Sequence, residues 1–151
     1  MAYHMRFFDT SPKPLTITAV ETALRVTDPT YRLVDVGENP IPQASLFLGD
    51  APQGELEINT PGDGVFDNLV KEMLARLANS GHEFREAVET TLTMTQRIIT
   101  VRISAEEASL DDTLAAIDPL WDWLFDSRQG LLHAEGEGYY EDGEMVLEEE
   151  E

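Results

Sequence analysis

The apolar positions of the chain recur at two spacings, one typical of helices and one typical of strands. Residues 66–77 show the helical spacing most clearly, because their apolar positions fall on one face of a helix: these are Phe66, Leu69, Val70, Met73, Leu74 and Leu77. Asp63 is the predicted N-cap of this helix, and Gly81 is its predicted C-terminal glycine. Residues 55–59 instead alternate strictly, with Leu56 and Ile58 on one side, which indicates a strand with one wet face.

The same spacings predict the other elements. Further helices are predicted at residues 18–27, at about 83–94 and at 109–129, and further strands at 31–36, 44–48, 97–103, 131–134 and 145–147. Thr18 and Glu21 have the spacing of a capping box. Asp142-Gly143 predicts a type I′ turn in a final hairpin. Three alternatives stay open: residues 6–8 are a short strand or an extension, residues 90–95 are helix or strand, and Pro119 marks a kink or a new helix start.

The order of these elements predicts the fold class. Adjacent strands lie between helices, which favours α+β over a parallel α/β sheet. We expect a twisted, mainly antiparallel sheet of about five to six strands with roughly three to four helices packed on one face, in a single domain over residues 1–151. Residues 1–5 resemble a leader added by cloning, with Met5 as the natural start, so residues 1–4 are left out of the search for sites. Residues 148–151 are expected to form a frayed acidic tail.

The amino-acid composition adds a strong and uneven negative charge to this predicted fold. The chain has 151 residues and a formal net charge of −20, of which −15 belongs to residues 104–151, where Arg128 is the single basic residue. A nucleic-acid binder needs a basic surface to neutralise phosphates, so we expect no direct binding to DNA or RNA. The apolar runs are too short to span a bilayer, and no secretory signal pattern is visible. With no cysteine there is no disulfide framework, and we expect a cytoplasmic, bacterial-type protein with no membrane partner.

Motifs for catalysis, cofactors and metals are not found. The chain has no GxSxG elbow, no Walker loop and no GxGxxG fingerprint, and its acidic segments lack the spacing of a calcium-binding loop. His82 and His133 stand outside the usual metal-binding contexts and are interpreted as structural residues. Pairs of carboxylates arise by chance among 30 acidic residues and indicate no active site. The prediction is therefore no catalytic residue, no cofactor and no metal, and an enzyme is less favoured than a binding protein.

The aromatic residues of the last third give the one specific indication. On the predicted helix the apolar face is centred near Trp121 and Leu124, and Trp123 points about 130° away from it. In the hairpin, the adjacent Tyr139 and Tyr140 must face opposite sides, so one of them is expected to point outward. Such rings either pack beneath another element, such as the final hairpin folding over Trp123, or form an interface. The predicted partner-binding residues are Trp123, Tyr139, Tyr140, Glu135 and Glu137.

The leading hypothesis is a non-enzymatic interaction module. Its acidic and aromatic last third would bind a protein partner, basic in character, or a second copy of the chain in a homodimer. Size, acidity and element order resemble the profile of small bacterial adaptor, secretion-chaperone and immunity proteins, without a shared motif. Two alternatives remain: a nucleic-acid mimic that inhibits a basic protein, and a small carboxylate- or metal-dependent hydrolase.

Overall fold

The centre of the protein is one antiparallel sheet. The computed structural model describes residues 3–35, 41–78, 81, 83–103 and 110–148. Within these ranges the strands are β1 Tyr3–Asp9, β2 Tyr31–Asp35, β3 Gln43–Leu48, β4 Ala51–Asn59, β5 Arg97–Ile103, β6 Gly130–Ala134, β7 Gly138–Glu141 and β8 Glu144–Glu148. Their order across the sheet is β2-β3-β4-β5-β1-β6-β7-β8. The α+β class and the antiparallel sheet are confirmed, but the predicted count of five to six strands was wrong, because the described residues contain eight.

Helices cover both faces of this sheet. The described helices are α1 Ile17–Thr27, α2 Phe66–Leu77, α3 Arg85–Thr93 and α4 Leu110–Ser127. Residues of α1 and α4 share one apolar cluster with one side of the sheet, and residues of α2 and α3 share a second cluster with the other side. The prediction that all helices pack on one face was therefore wrong. The physical reason is that the central strands bury apolar side chains on both sides: Phe7, Ile99 and Leu132 enter one cluster, and Phe8, Ile98 and Leu131 enter the other. Each side therefore needs its own cover.

Strand β1 lies in the middle of the sheet, between β5 and β6. Phe7 and Phe8 are both fully buried, and since neighbouring strand residues face opposite sides, each enters a different cluster. Tyr3 and His4 also belong to this strand and pair with residues of β5. From Tyr3 onward, the residues expected to form a leader and then a short strand or extension are thus one continuous central strand.

Local contacts explain where two helices begin. Thr16, rather than the predicted Thr18, caps α1, because its Oγ1 accepts a hydrogen bond from the Ala19 backbone at 3.1 Å. Glu21, the predicted second half of the capping box, instead accepts from the Leu33 backbone at 2.7 Å. Asp63 does hold the start of α2, since its Oδ1 accepts from the backbone of Val65 and Phe66, each at 2.8 Å.

Other helix boundaries answer the alternatives left open. Helix α2 ends at the cap residue Ala78, so Gly81 is not its C-terminal glycine. Residues 90–93 are helical and belong to α3. Helix α4 continues through Pro119 rather than restarting there. No described helix combines the length and the apolar character that a membrane crossing requires.

The last third of the chain adds three strands rather than one hairpin. Strand β7 lies between β6 and β8, where the sequence predicted only the two outer arms. Asp142 and Gly143 have φ values of 47° and 86°, as the predicted type I′ turn requires, and they join β7 to β8. Glu148 still belongs to β8, so the predicted frayed tail does not begin there; residues 149–151 lie outside the described part of the chain.

A buried ion cluster ties the end of β1 to the rest of the fold. Asp9 is fully buried, and its Oδ2 accepts hydrogen bonds from Nη1 of Arg97 and Nη1 of Arg128, each at 2.6 Å. Arg128 also donates to the backbone oxygens of Lys13 and Pro14, at 2.8 and 2.7 Å. One carboxylate therefore fixes β1, β5, the end of α4 and the loop after β1. We name these three side chains, Asp9, Arg97 and Arg128, the ion cluster.

Candidate functional site

The predicted partner-binding residues lie on different faces of the sheet. Tyr139 is only 2% exposed and belongs to the cluster under α2 and α3, with its ring 4.8 Å from the ring of His133. Tyr140 is half-buried and packs against the opposite cluster, under α1 and α4. Tyr139 therefore has no surface to offer a partner, and Tyr140 is the accessible member of the pair.

The two tryptophans have different surroundings from those expected. Trp123 is half-buried and packs against the cluster under α1 and α4, so it does not stand free on the surface. Trp121 is 4% exposed, yet it lines a groove between α4 and the sheet. Trp121, rather than the predicted Trp123, is therefore the tryptophan that lines a candidate binding site.

This groove is the candidate functional site and has a volume of about 470 Å³. We call it the acidic–aromatic groove. Its inner wall is formed by apolar side chains of β1 and β6, such as Met5 and Leu132. The residues that give it chemical character are Tyr3, Asp118, Trp121, Asp122, Glu137 and Tyr140. No Lys, Arg or His is among the described residues that line it.

Glu137 is the centre of the polar side of the groove. It lies in the turn between β6 and β7, and its Oε1 accepts a hydrogen bond from the Tyr140 hydroxyl at 3.0 Å. Its Oε2 accepts a hydrogen bond from the Tyr3 hydroxyl. Two tyrosine rings from different strands are thereby held beside one carboxylate. Because an ionised carboxylate has about four acceptor positions, Glu137 keeps capacity for an incoming donor.

The electrostatics of the groove reflect crowding of negative groups. Burial, then the hydrogen bond to Glu137 and its charge, raises the pKa of Tyr3 well above its ordinary value, and the same causes raise the pKa of Tyr140. Across the groove, burial and then the charge of Asp122 raise the pKa of Asp118. Asp118 and Asp122 are one turn apart on α4, so their charges repel. A cation placed between them would relieve this repulsion.

Glu135 lies beside the groove rather than in it. Its Oε2 accepts from the backbone of His4 at 3.1 Å and contacts Nδ1 of His4 at 3.0 Å. Partial burial acts to raise the pKa of Glu135, but the two contacts with His4 outweigh it, and the pKa lies below its ordinary value. The geometry therefore assigns Glu135 to anchoring the start of β1.

One buried polar atom at the groove has no partner. The indole Nε1 of Trp121 donates to no described residue. A tryptophan donor in such a position usually finds an acceptor. An acceptor such as a peptide carbonyl would satisfy it.

Metal-binding groups do not gather in the described parts of the chain. No three His, Asp or Glu side chains there could hold a metal ion together. His133 is fully buried against Tyr139, as its interpretation as a structural residue requires, and His82 lies outside the described residues.

Comparison with known protein families, curated proteins and solved structures finds no match for this chain. The site must therefore be interpreted from its own geometry.

Sequence reasoning missed four of the groove residues, Tyr3, Asp118, Trp121 and Asp122. Tyr3 was set aside with the expected leader, and Asp118 was considered only as a helix cap. The helical spacing did contain a usable signal: Asp118 and Asp122 flank Trp121 on consecutive turns of α4. No pattern in the sequence could have brought Tyr3 beside Glu137, 134 positions away.

Proposed function

We propose that this protein is a non-catalytic interaction module that holds a basic side chain of a protein partner in the acidic–aromatic groove. The observation that carries the proposal is the lining of that groove, in which three carboxylates and four aromatic rings meet with no basic residue among the described lining residues. A guanidinium or ammonium group is attracted both by carboxylates and by the faces of aromatic rings.

The groove favours a peptide over a free cation. Its inner wall is apolar, and it can take the methylene stem of an arginine or lysine while the charged end meets Asp122 or Glu137. The indole of Trp121 supplies a donor for a backbone carbonyl. The net charge of −20 would speed association with a basic partner and keep acidic proteins away.

Selection from a random peptide library tests the proposal. We expect the bound peptides to share an arginine or lysine at one fixed position. The affinity of a selected peptide should fall as salt concentration rises, since the contacts are partly exposed ion pairs. It should also fall as the pH is lowered through the raised pKa of Asp118, because protonation removes a negative charge from the groove.

Two variants locate the binding site. Asp122→Asn and Glu137→Gln each remove one exposed carboxylate of the groove and are expected to weaken peptide binding several-fold, measured by fluorescence anisotropy. Glu144→Gln, on the exposed edge strand β8, is the matched control and should bind as the unchanged protein does. Selected peptides without a basic residue, or full affinity in both groove variants, would refute the proposal.

The other predictions from the sequence have no specific observation in their favour. An adaptor, chaperone or immunity role, a homodimer, nucleic-acid mimicry and a carboxylate- or metal-dependent hydrolase all stay predictions, as does the cytoplasmic location. Sedimentation of the purified protein addresses the homodimer, and competition by duplex DNA for a basic partner protein addresses mimicry.

A further inference from the structure

A second cavity, of about 370 Å³, lies on the other face of the sheet. We call it the polar cleft. It forms at the N-terminal end of α2, where Val65 and Leu69 form one wall, and polar side chains of β3, β4, β5 and β1 form its floor. Alternation along β1 separates the two sites, since Tyr3 and Met5 face the acidic–aromatic groove while His4 and Arg6 line the polar cleft.

The polar cleft contains two arginines without ion pairs. Among the described residues, no carboxylate lies within ion-pair distance of Arg6 or Arg102, whereas Arg32, Arg85, Arg97 and Arg128 each have such a partner. The Nε of Arg6 is buried and donates to no described residue. Burial lowers the pKa of Arg6, although the nearby charges of Glu135 and Glu72 act to raise it. Two guanidinium groups in one cleft, neither in an ion pair with a described residue, are suited to an anionic group.

Two glutamates supply the opposite charge on the neighbouring strand. Glu55 lies directly across from Arg102 in the register of β4 and β5, although the two form no ion pair. Glu55 accepts a hydrogen bond from the Ser45 hydroxyl at 3.3 Å, and Glu57 accepts one from the amide of Gln43. Each carboxylate has further acceptor positions. The cleft therefore has a cationic side and an anionic side on adjacent strands.

Neutral polar atoms between the two sides also have no partner. Thr100 and Asn59 line the cleft and are 9% and 0% exposed, and neither Thr100 Oγ1 nor Asn59 Oδ1 forms a hydrogen bond with a described residue. A buried polar atom left unpaired costs about 1–3 kcal/mol. Arg6 Nε, Thr100 Oγ1 and Asn59 Oδ1 together are a set of buried donors and acceptors that a polar ligand would satisfy.

We propose that the polar cleft binds a small zwitterion of the amino-acid type, with its carboxylate toward Arg6 and Arg102 and its ammonium toward Glu55 and Glu57. A plain anion would be repelled by a protein of charge −20, and a plain cation would meet two arginines. A zwitterion has no net charge and offers both signs at close spacing. The cleft volume is within the range of small-molecule sites, about 300–1,000 Å³.

Thermal unfolding in the presence of the common L-amino acids, each tested singly, is the first experiment. At least one of them should raise the melting temperature, since a ligand that binds only the folded state stabilises it. Calorimetric titration then compares that amino acid with its decarboxylated amine and its deaminated acid. We expect both analogues to bind at least about tenfold more weakly, because each loses a charge-assisted set of hydrogen bonds.

Variants of exposed residues keep the test independent of folding. Arg102→Gln and Glu55→Gln change exposed side chains of the cleft and should each weaken binding at least about tenfold. Arg25→Gln, on α1 at the opposite face, is the matched control and should leave affinity unchanged. The proposal is overturned if no amino acid stabilises the protein, if either single-charge analogue binds as tightly as the zwitterion, or if both cleft variants retain full affinity.

Discussion

Replacing Asp9 by asparagine is expected to destabilise the fold by about 3–5 kcal/mol, because it leaves Arg97 and Arg128 as buried charges without a counter-ion. The side chains of Arg97 and Arg128 are 9% and 8% exposed, so water compensates them little. The hydrogen bonds that Asp9 accepts indicate a similar loss of stability, since two hydrogen bonds between charged groups at 2.6 Å are each worth about 1.5–3 kcal/mol.

Urea unfolding measures this loss. With a slope of about 2 kcal/mol per molar urea, the midpoint should fall by about 2 M. The melting temperature should fall by about 6–20 °C, at about 2–4 °C per kcal/mol for a chain of this size. Asp35→Asn is the control, since that residue is exposed on the edge strand β2 and should shift stability by no more than about 0.5 kcal/mol.

A second substitution separates charge from packing. Adding Arg97→Met to Asp9→Asn removes one of the two uncompensated charges and should restore part of the lost stability. A loss below about 1 kcal/mol for Asp9→Asn, or a further large loss in the double variant, would show that the ion cluster does not hold β1 in the way its geometry indicates.

Two further predictions concern contacts at the two ends of β1. Gly130→Ala should destabilise the protein by about 2 kcal/mol or more in urea unfolding, because the added Cβ would lie 2.0 Å from the Phe8 carbonyl oxygen. Gly81→Ala is the control and should be near neutral, because its added Cβ meets no atom within 4 Å. The pKa of Glu135 is lower in the folded than in the unfolded protein. Its contribution to folding stability is therefore present above the unfolded pKa and is lost as the pH falls through the folded pKa. Glu135→Gln should therefore flatten the acidic limb of a stability–pH curve, and an unchanged limb would contradict the assigned contact with His4.

Local elements were predictable because their signals are local. The apolar face of α2, the strand β5 and the turn at Asp142-Gly143 follow from spacing and turn chemistry alone. The inward face of α4, with Ile117, Leu120, Trp121 and Leu124 buried, also agrees with its helical spacing. Strand β7 was missed because Gly138 to Glu141 is short and contains glycine and glutamate, which are uncommon in strands.

The layering of the fold was predictable only in part. The adjacent pairs Phe7-Phe8 in β1 and Ile98-Ile99 in β5 are typical of strands buried on both faces, and they were the available signal for helices on two sides. Assembly of the groove depends on register between distant strands, which one sequence does not specify. The ion cluster shows the same limit, since Arg128 was visible as a lone basic residue but its contact with Asp9 was not.

The central place of β1 has a consequence for the order in which the chain can fold. Phe7 is made well before the residues with which it pairs, Ile99 of β5 and Leu132 of β6. At about 5–20 residues per second, a ribosome needs about 6–25 s after completing β1 to deliver β6. Strands β2, β3 and β4 pair with near neighbours and can form a meander in that time, while β1 exposes two phenylalanines. We therefore expect the nascent chain to depend on shielding of its first strand, and refolding to be limited by the step that inserts this strand into the sheet.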